Sequence, residues 1–246
     1  MKRLFWYVLT GLTLFSLVLA GCAQEAAKIR VATDATWPPF ESVNEQTKEV
    51  EGFDIDLMNA IAEKAGLEIE FVNVAWDPLL AGIAQCQYDM AISAMTITEE
   101  RKKEFLFSDP YFAAGQIVTV QKDNTDITGK DDLEGKVVGA QIGTTGSFEV
   151  EKIEGATLKT YDDIGLAFQD LMNGQIDAVI ADNPLAWEYE GKNPDKLKTV
   201  GEVFTSEDYG IAVCKTKEDL LEKINTGLRA VKAEGLIGEL IEKWLK

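Results

Sequence analysis

The chain has 246 residues, enough for one large domain or for two lobes that each bury a core. Lys and Arg number 24 against 42 Asp and Glu, a net charge of −18, and so acidic a surface argues against nucleic acid and anionic lipid as partners. With no histidine and three cysteines, the chain cannot build a Ser-His-Asp or Cys-His nucleophilic system, a histidine zinc site or a four-thiolate metal site. Neither G-x-G-x-x-G nor G-x-x-x-x-G-K-[ST] occurs. No metal and no cofactor are expected, and the balance leans toward binding rather than catalysis.

Residues 1–21 combine a basic start (Lys2, Arg3) with an uncharged apolar run from Leu4 to Ala20, the pattern of an export signal. Leu19-Ala20-Gly21-Cys22 at its end resembles the lipobox of bacterial lipoproteins. That resemblance implies a lipidated Cys22 as first residue of the mature chain, a brief tether over 22–28, and anchorage on the extracytoplasmic face of the membrane. Processing there removes two cations and no anion, so the mature charge is −20 rather than −18.

Ile29 to Thr33 reads as a strand, and the following Asp34-Ala-Thr-Trp-Pro-Pro-Phe40 as a stiff loop, because two consecutive prolines forbid helix. Gly52-Phe53-Asp54 opens a helix with a buried stripe of Ile55, Leu57, Met58, Ile61 and Ala62. Leu67 to Val74 alternates as a strand and Trp76 to Ala84 is helical. Met90 to Met95 is so uniformly apolar that it is expected at the centre of a parallel sheet. The first hundred residues therefore read β-α-β-α-β. After a strand at Gln116 to Gln121 and a polar loop, the pattern restarts. Strands are predicted at Lys136 to Gln141, Leu158 to Tyr161 and Ile176 to Ala181, with helices at Phe148 to Ile153 and Ile164 to Met172. Tyr209 to Val213 is a late strand, and Glu218 to Lys246 is helical, its two apolar stripes separated by Gly235 and expected to complete the first lobe. The reading is two α/β lobes of similar build whose strand ends face one cleft.

In an open α/β sheet ligands bind beyond the carboxyl ends of the strands, which is where Thr96 and Arg101 fall. Arginine grips a carboxylate in bidentate fashion. Gly143-Thr144-Thr145-Gly146 offers free backbone N–H groups at a strand-to-helix junction, which suits an anion, although a glycine-permitted turn explains it equally well. Asp182 at the Ala181 strand end either caps the next turn or holds a cation. Together these groups complement a zwitterion, with Trp37 and Phe53 as apolar walls.

The segments Asp34 to Glu41, Gly52 to Leu57, Met95 to Arg101, Phe107 to Tyr111, Gly143 to Gly146 and Asp177 to Asp182 resemble those of the polar amino-acid solute-binding proteins of bacterial ABC importers. The likeness runs from Lys28 to the C-terminus. It implies a two-lobed periplasmic-binding-protein fold of type II, with lobe 1 formed by 29–111 and 210–246, lobe 2 by 112–209, and crossing hinge segments near 112–116 and 205–210. It implies capture of a free L-amino acid by a monomer that presents it to a membrane permease with a cytoplasmic ATPase. Arg101 takes the α-carboxylate, helped by the backbone and hydroxyl groups of Thr96 and Thr145. Asp182 and the Met95 carbonyl take the α-ammonium, and Trp37 and Phe53 sandwich the side chain. Asp34 reaches its polar end, and Ser93, Ala94 and Gln141 line its pocket. Burying Asp34 against a neutral amide leaves its charge less compensated, which favours arginine or another basic residue over glutamine. The same fold also carries periplasmic cyclohexadienyl dehydratases, for which Glu41 is the nearest acid.

Cys86 and Cys214 flank the Met90 and Tyr209 strands. An antiparallel pairing of those strands brings both to one end, where they form either a disulfide or two separate buried thiols.

Overall fold

The computed structural model describes residues 28–246. The export signal, the lipobox and Cys22 lie outside the described residues. Among those described, no helix is long and apolar enough to cross a membrane.

Two five-stranded sheets share one plan. In the first, Ile29–Thr33 runs parallel to Ile69–Asn73 on one side and to Met90–Ala91 on the other. Ala212–Val213 then adds antiparallel to Met90–Ala91, and Leu106–Phe107 closes the edge. In the second, Val137–Gln141 is parallel to Thr157–Tyr161 and to Ala178–Asp182, while Gln116–Gln121 pairs antiparallel with Ala178–Asp182 and Leu197–Val200. Each sheet is thus a three-stranded parallel core extended on one side by two further strands. The Met90 strand is central, as expected, but the sheet is mixed rather than parallel, since one of its two neighbours is antiparallel. That strand keeps regular pairing for only two residues, because the chain turns at Ala94, whose φ is +43°.

Between the sheets, Phe112–Ala114 pairs antiparallel with Glu207–Tyr209 in a two-stranded ribbon. The late strand read as Tyr209 to Val213 is therefore two: Glu207–Tyr209 in the ribbon and Ala212–Val213 in the first sheet. A small sheet of Thr36–Trp37, Glu41–Val43 and Val50–Glu51 shapes the loop after the first strand.

Helix Phe53–Ala65 buries Phe53, Ile55, Leu57, Met58, Ile61 and Ala62 and ends at Gly66 in the left-handed conformation. Only glycine fits before it: a Cβ on Gly52 would sit 2.1 Å from the Phe40 carbonyl oxygen. Helix Glu218–Ala233 packs against it through Leu220, Ile224, Gly227, Leu228 and Val231, and Leu236–Trp244 follows after Gly235. Cys86 and Cys214 are joined as a disulfide, with Cα atoms 5.1 Å apart.

Candidate functional site

The carboxyl ends of Ile29–Thr33, Met90–Ala91, Val137–Gln141 and Ala178–Asp182 converge on one small cavity. Its walls are Asp34, Trp37, Trp76, Ser93, Ala94, Thr96, Arg101, Gln141, Thr144, Thr145 and Asp182. Residues some 150 positions apart meet here because both sheets point the same ends of their strands inward.

Arg101 opens the short helix Arg101–Glu104, and its backbone N–H donates to Thr98 Oγ1 at 3.1 Å. Its guanidinium donates to the Thr96 carbonyl at 2.8 Å and, from the far side of the cavity, to the Gly143 carbonyl at 3.1 Å. The guanidinium carbon lies 5.0 Å from the centre of the Trp76 ring, a cation–π distance. Burial lowers its pKa to about 10, against the attraction of Asp182 and Glu207, so it stays charged at neutral pH.

Asp182 ends strand Ala178–Asp182 with both carboxylate oxygens engaged, one by Gln116 Nε2 and the other by the Tyr209 hydroxyl. Burial, then the charge of Glu207, pushes its pKa up to about 7, while Tyr209, Gln116 and Arg101 hold it down. A proton is therefore readily exchanged on this group near neutral pH, and a cation placed beside it drives the proton off.

At another wall Asp34, 3% exposed, accepts from Thr36 Oγ1 at 2.9 Å and from Gln141 Nε2 at 2.9 Å. Burial is the main cause that raises its pKa; among the described residues every hydrogen bond it receives comes from a neutral group. Gln141 spends both amide protons, on Asp34 and on the Asp162 carbonyl, leaving its Oε1 buried with no donor among the described residues. The indole N–H groups of Trp37 and Trp76 are buried and unpartnered in the same sense. Ser93 accepts from the Asp34 N–H at 3.0 Å and donates to Glu41 Oε1 at 2.7 Å. The Ala94 N–H, set by the left-handed backbone, donates to Asp54 Oδ2 at 2.7 Å. Thr144 caps helix Thr145–Glu151, accepting from the Ser147 N–H at 3.3 Å, so its hydroxyl is structural.

Two expected site residues are not among the walls. Phe53 lies fully buried in an aromatic cluster, its ring 5.6 Å from Phe40, 6.3 Å from Tyr111 and 5.7 Å from Phe112, and the indole that faces the cavity besides Trp37 is Trp76. The Met95 side chain joins the core with Ala32 and Phe105, and its carbonyl accepts the Gly210 N–H at 3.0 Å. The Thr96 and Thr145 hydroxyls, expected on a ligand carboxylate, donate instead to Glu207. Trp76, Gln116, Glu207 and Tyr209 were not singled out from sequence. Trp76 was within reach, since it follows the carboxyl end of strand Ile69–Asn73.

A guanidinium and a carboxylate across a small buried cavity between two α/β lobes define a solute-binding protein of the two-lobed kind. The chain belongs to the bacterial extracellular solute-binding proteins, family 3, whose model matches residues 29–246. It is 37% identical over 229 residues to ABC transporter arginine-binding protein 1 of Escherichia coli (strain K12), covering 90% of this chain and 92% of that one. An ancestral arginine-binding protein bound to arginine superposes with a TM-score of 0.85 at 44% identity, over 89% of this chain and 98% of the other. The arginine-, lysine-, histidine-binding protein ArtJ from Geobacillus stearothermophilus gives 0.84 at 39% identity, over 89% and 95%. The protein is a solute-binding component of amino-acid transport and not an enzyme. The binding reading thus stands over the dehydratase alternative; Glu41 is fully buried, accepts a hydrogen bond from Ser93 and is not among the cavity walls.

Proposed function

We propose that this protein captures a free cationic L-amino acid, arginine foremost, and delivers it to an ABC permease driven by a cytoplasmic ATPase. Asp34 carries the choice of side chain. It is a buried carboxylate with only neutral hydrogen-bond partners, next to an unsatisfied Gln141 carbonyl oxygen, and a guanidinium supplies both the charge and the donors. At the backbone end, Arg101 with the Thr96 and Thr145 N–H groups takes the α-carboxylate and Asp182 takes the α-ammonium. Lobe 1 is 29–111 with 210–246, lobe 2 is 112–209, and hinge motion at 112–116 and 205–210 closes them on the ligand. Cys22 carries a lipid that holds the protein on the extracytoplasmic face of the membrane, a reading supported by Leu19-Ala20-Gly21-Cys22.

Glutamine is the second reading. A similar solved structure is an ancestral arginine-binding protein bound to glutamine, and an amide satisfies Gln141 and an indole N–H alike. Thermal unfolding of the chain from residue 23 onward, against the twenty L-amino acids, decides between them. A ligand at about a hundred times its Kd adds about 2.7 kcal/mol. Arginine and lysine are expected to give the largest shifts; a shift with glutamine alone overturns the assignment to a cation, and no shift with any amino acid overturns the function.

A further inference from the structure

Glu207 is a nearly buried carboxylate beside the cavity that the ligand reading leaves unused. It sits on the ribbon strand Glu207–Tyr209, and four donors from four segments converge on it. Its Oε1 accepts from Thr205 Oγ1 at 2.8 Å and Gln116 Nε2 at 3.2 Å. Its Oε2 accepts from Thr96 Oγ1 at 2.7 Å and Thr145 Oγ1 at 2.8 Å. An ionised carboxylate offers about four acceptor positions and no donor, so this set saturates it.

The donors belong to different bodies. Thr96 follows the first sheet's strand Met90–Ala91, whereas Thr145 opens a helix of the second sheet and Gln116 begins one of its strands. One oxygen, Oε2, is thus shared between the two sides of the cavity. We infer that Glu207 is a latch: it joins Thr96 to Thr145 only when the lobes are closed, and thereby slows escape of the captured solute. When the sides separate, one carboxylate cannot follow both hydroxyls, and one interlobe bond to a buried charge is lost. The latch also explains where the two hydroxyl protons go, which leaves the backbone N–H groups of Thr96 and Thr145 for the ligand. Glu207 is accordingly a positioning residue, acting on the solute through both threonines.

The inference rests on the amino-acid reading for its probe, L-arginine. Glu207→Gln keeps the shape, but whichever way the amide is turned its NH2 group faces two donors. Thr145→Val removes a single hydroxyl at constant volume and guards against a folding defect in the first variant. Stopped-flow tryptophan fluorescence, reporting Trp37 and Trp76, gives the rate constants. Glu207→Gln is expected to raise the dissociation rate about tenfold or more with the association rate within about twofold, because truncating a partner of a buried hydrogen-bonded charge acts on dissociation. Thr145→Val should shift the same rate less, and the double variant no more than Glu207→Gln alone, since both remove one shared bond. A general loss of packing would instead lower the unliganded melting midpoint. Dissociation rates within about twofold of wild type in both variants, or additive effects in the double variant, overturn the latch. If the wild type binds no amino acid, the functional reading fails and small-angle scattering of the unliganded proteins judges the latch. A larger radius of gyration in Glu207→Gln supports it, and an equal one overturns it.

Discussion

Asp34 concentrates the specificity problem in one side chain. Its carboxylate is out of water and receives hydrogen bonds from Thr36 and Gln141, with no cation in direct contact among the described residues. Asp34→Asn should weaken arginine binding by roughly a hundredfold, about 2.8 kcal/mol, while changing glutamine binding far less; isothermal titration with both ligands measures the difference. A loss equal for the two ligands would show that Asp34 only shapes the pocket. Asp182 allows a separate test. Its pKa of about 7 before binding falls when an ammonium arrives, so capture near neutral pH should release a proton. Titration in buffers of different ionisation enthalpy reads that proton directly, and affinity should rise with pH through that range. Arg101 and Asp182 were legible from sequence because a strand end followed by a polar residue fixes a place in an α/β fold. Phe53 and Met95 show the limit: their positions near the cleft follow from sequence, but side-chain direction depends on the neighbouring packing. Phe53 turns into the aromatic cluster, and the Met95 carbonyl turns to Gly210.

The helices and strands that carry the site were readable wherever a hydrophobic period ran long enough. Helix Ile164–Met172 matches its expected bounds, and helix Phe53–Ala65 shows the predicted buried stripe. Helix Asn183–Lys192 was missed because Asp-Asn-Pro read as a turn, although proline is well tolerated in a helix's first turn. Its apolar residues show almost no one-sided stripe, so periodicity gave no second signal. At the split of the late strand, Gly210 passes so close to the Ile97 side chain that a Cβ there would lie 2.8 Å from it. Packing between helices yields a prediction of its own. A Cβ on Gly227 would lie 2.7 Å from the Ile61 carbonyl oxygen on helix Phe53–Ala65, and backbone cannot yield cheaply. Gly227→Ala should therefore cost about 1–3 kcal/mol despite alanine's better helix propensity, measured as a lower urea midpoint with unchanged slope.

For the whole molecule, buried acids set the pH dependence. Burial raises the pKa of Asp54 and Asp182 to about 7, and raises those of Asp34 and Glu41. The native state therefore holds more protons than the unfolded chain between the ordinary carboxylate range and about pH 7. Stability from these groups is full below the unfolded values and is lost as pH rises through the folded ones. The unliganded protein should melt at a higher temperature near about pH 5 than near about pH 8, a trend strengthened by self-repulsion of a strongly acidic chain. The disulfide closes a separation of 128 residues, for which chain entropy gives about 5 kcal/mol at most. Replacing Cys86 and Cys214 by serine should lower the denaturant midpoint accordingly, and the unfolded, unreduced protein from residue 23 onward should show no free thiol.

The sequence by itself determined the two-lobe α/β plan and placed Arg101 and Asp182 near strand ends, because hydrophobic period and strand-end position are local properties that short segments carry alone; the family was legible as a resemblance of its segments. Only the tertiary structure decided which way each side chain faces. It turned Phe53 away, brought Trp76 in, engaged the Thr96 and Thr145 hydroxyls with Glu207, and paired Asp34 with the neutral Thr36 and Gln141. These outcomes depend on contacts between segments about a hundred residues apart, and the burial that results sets the charge states on which binding depends.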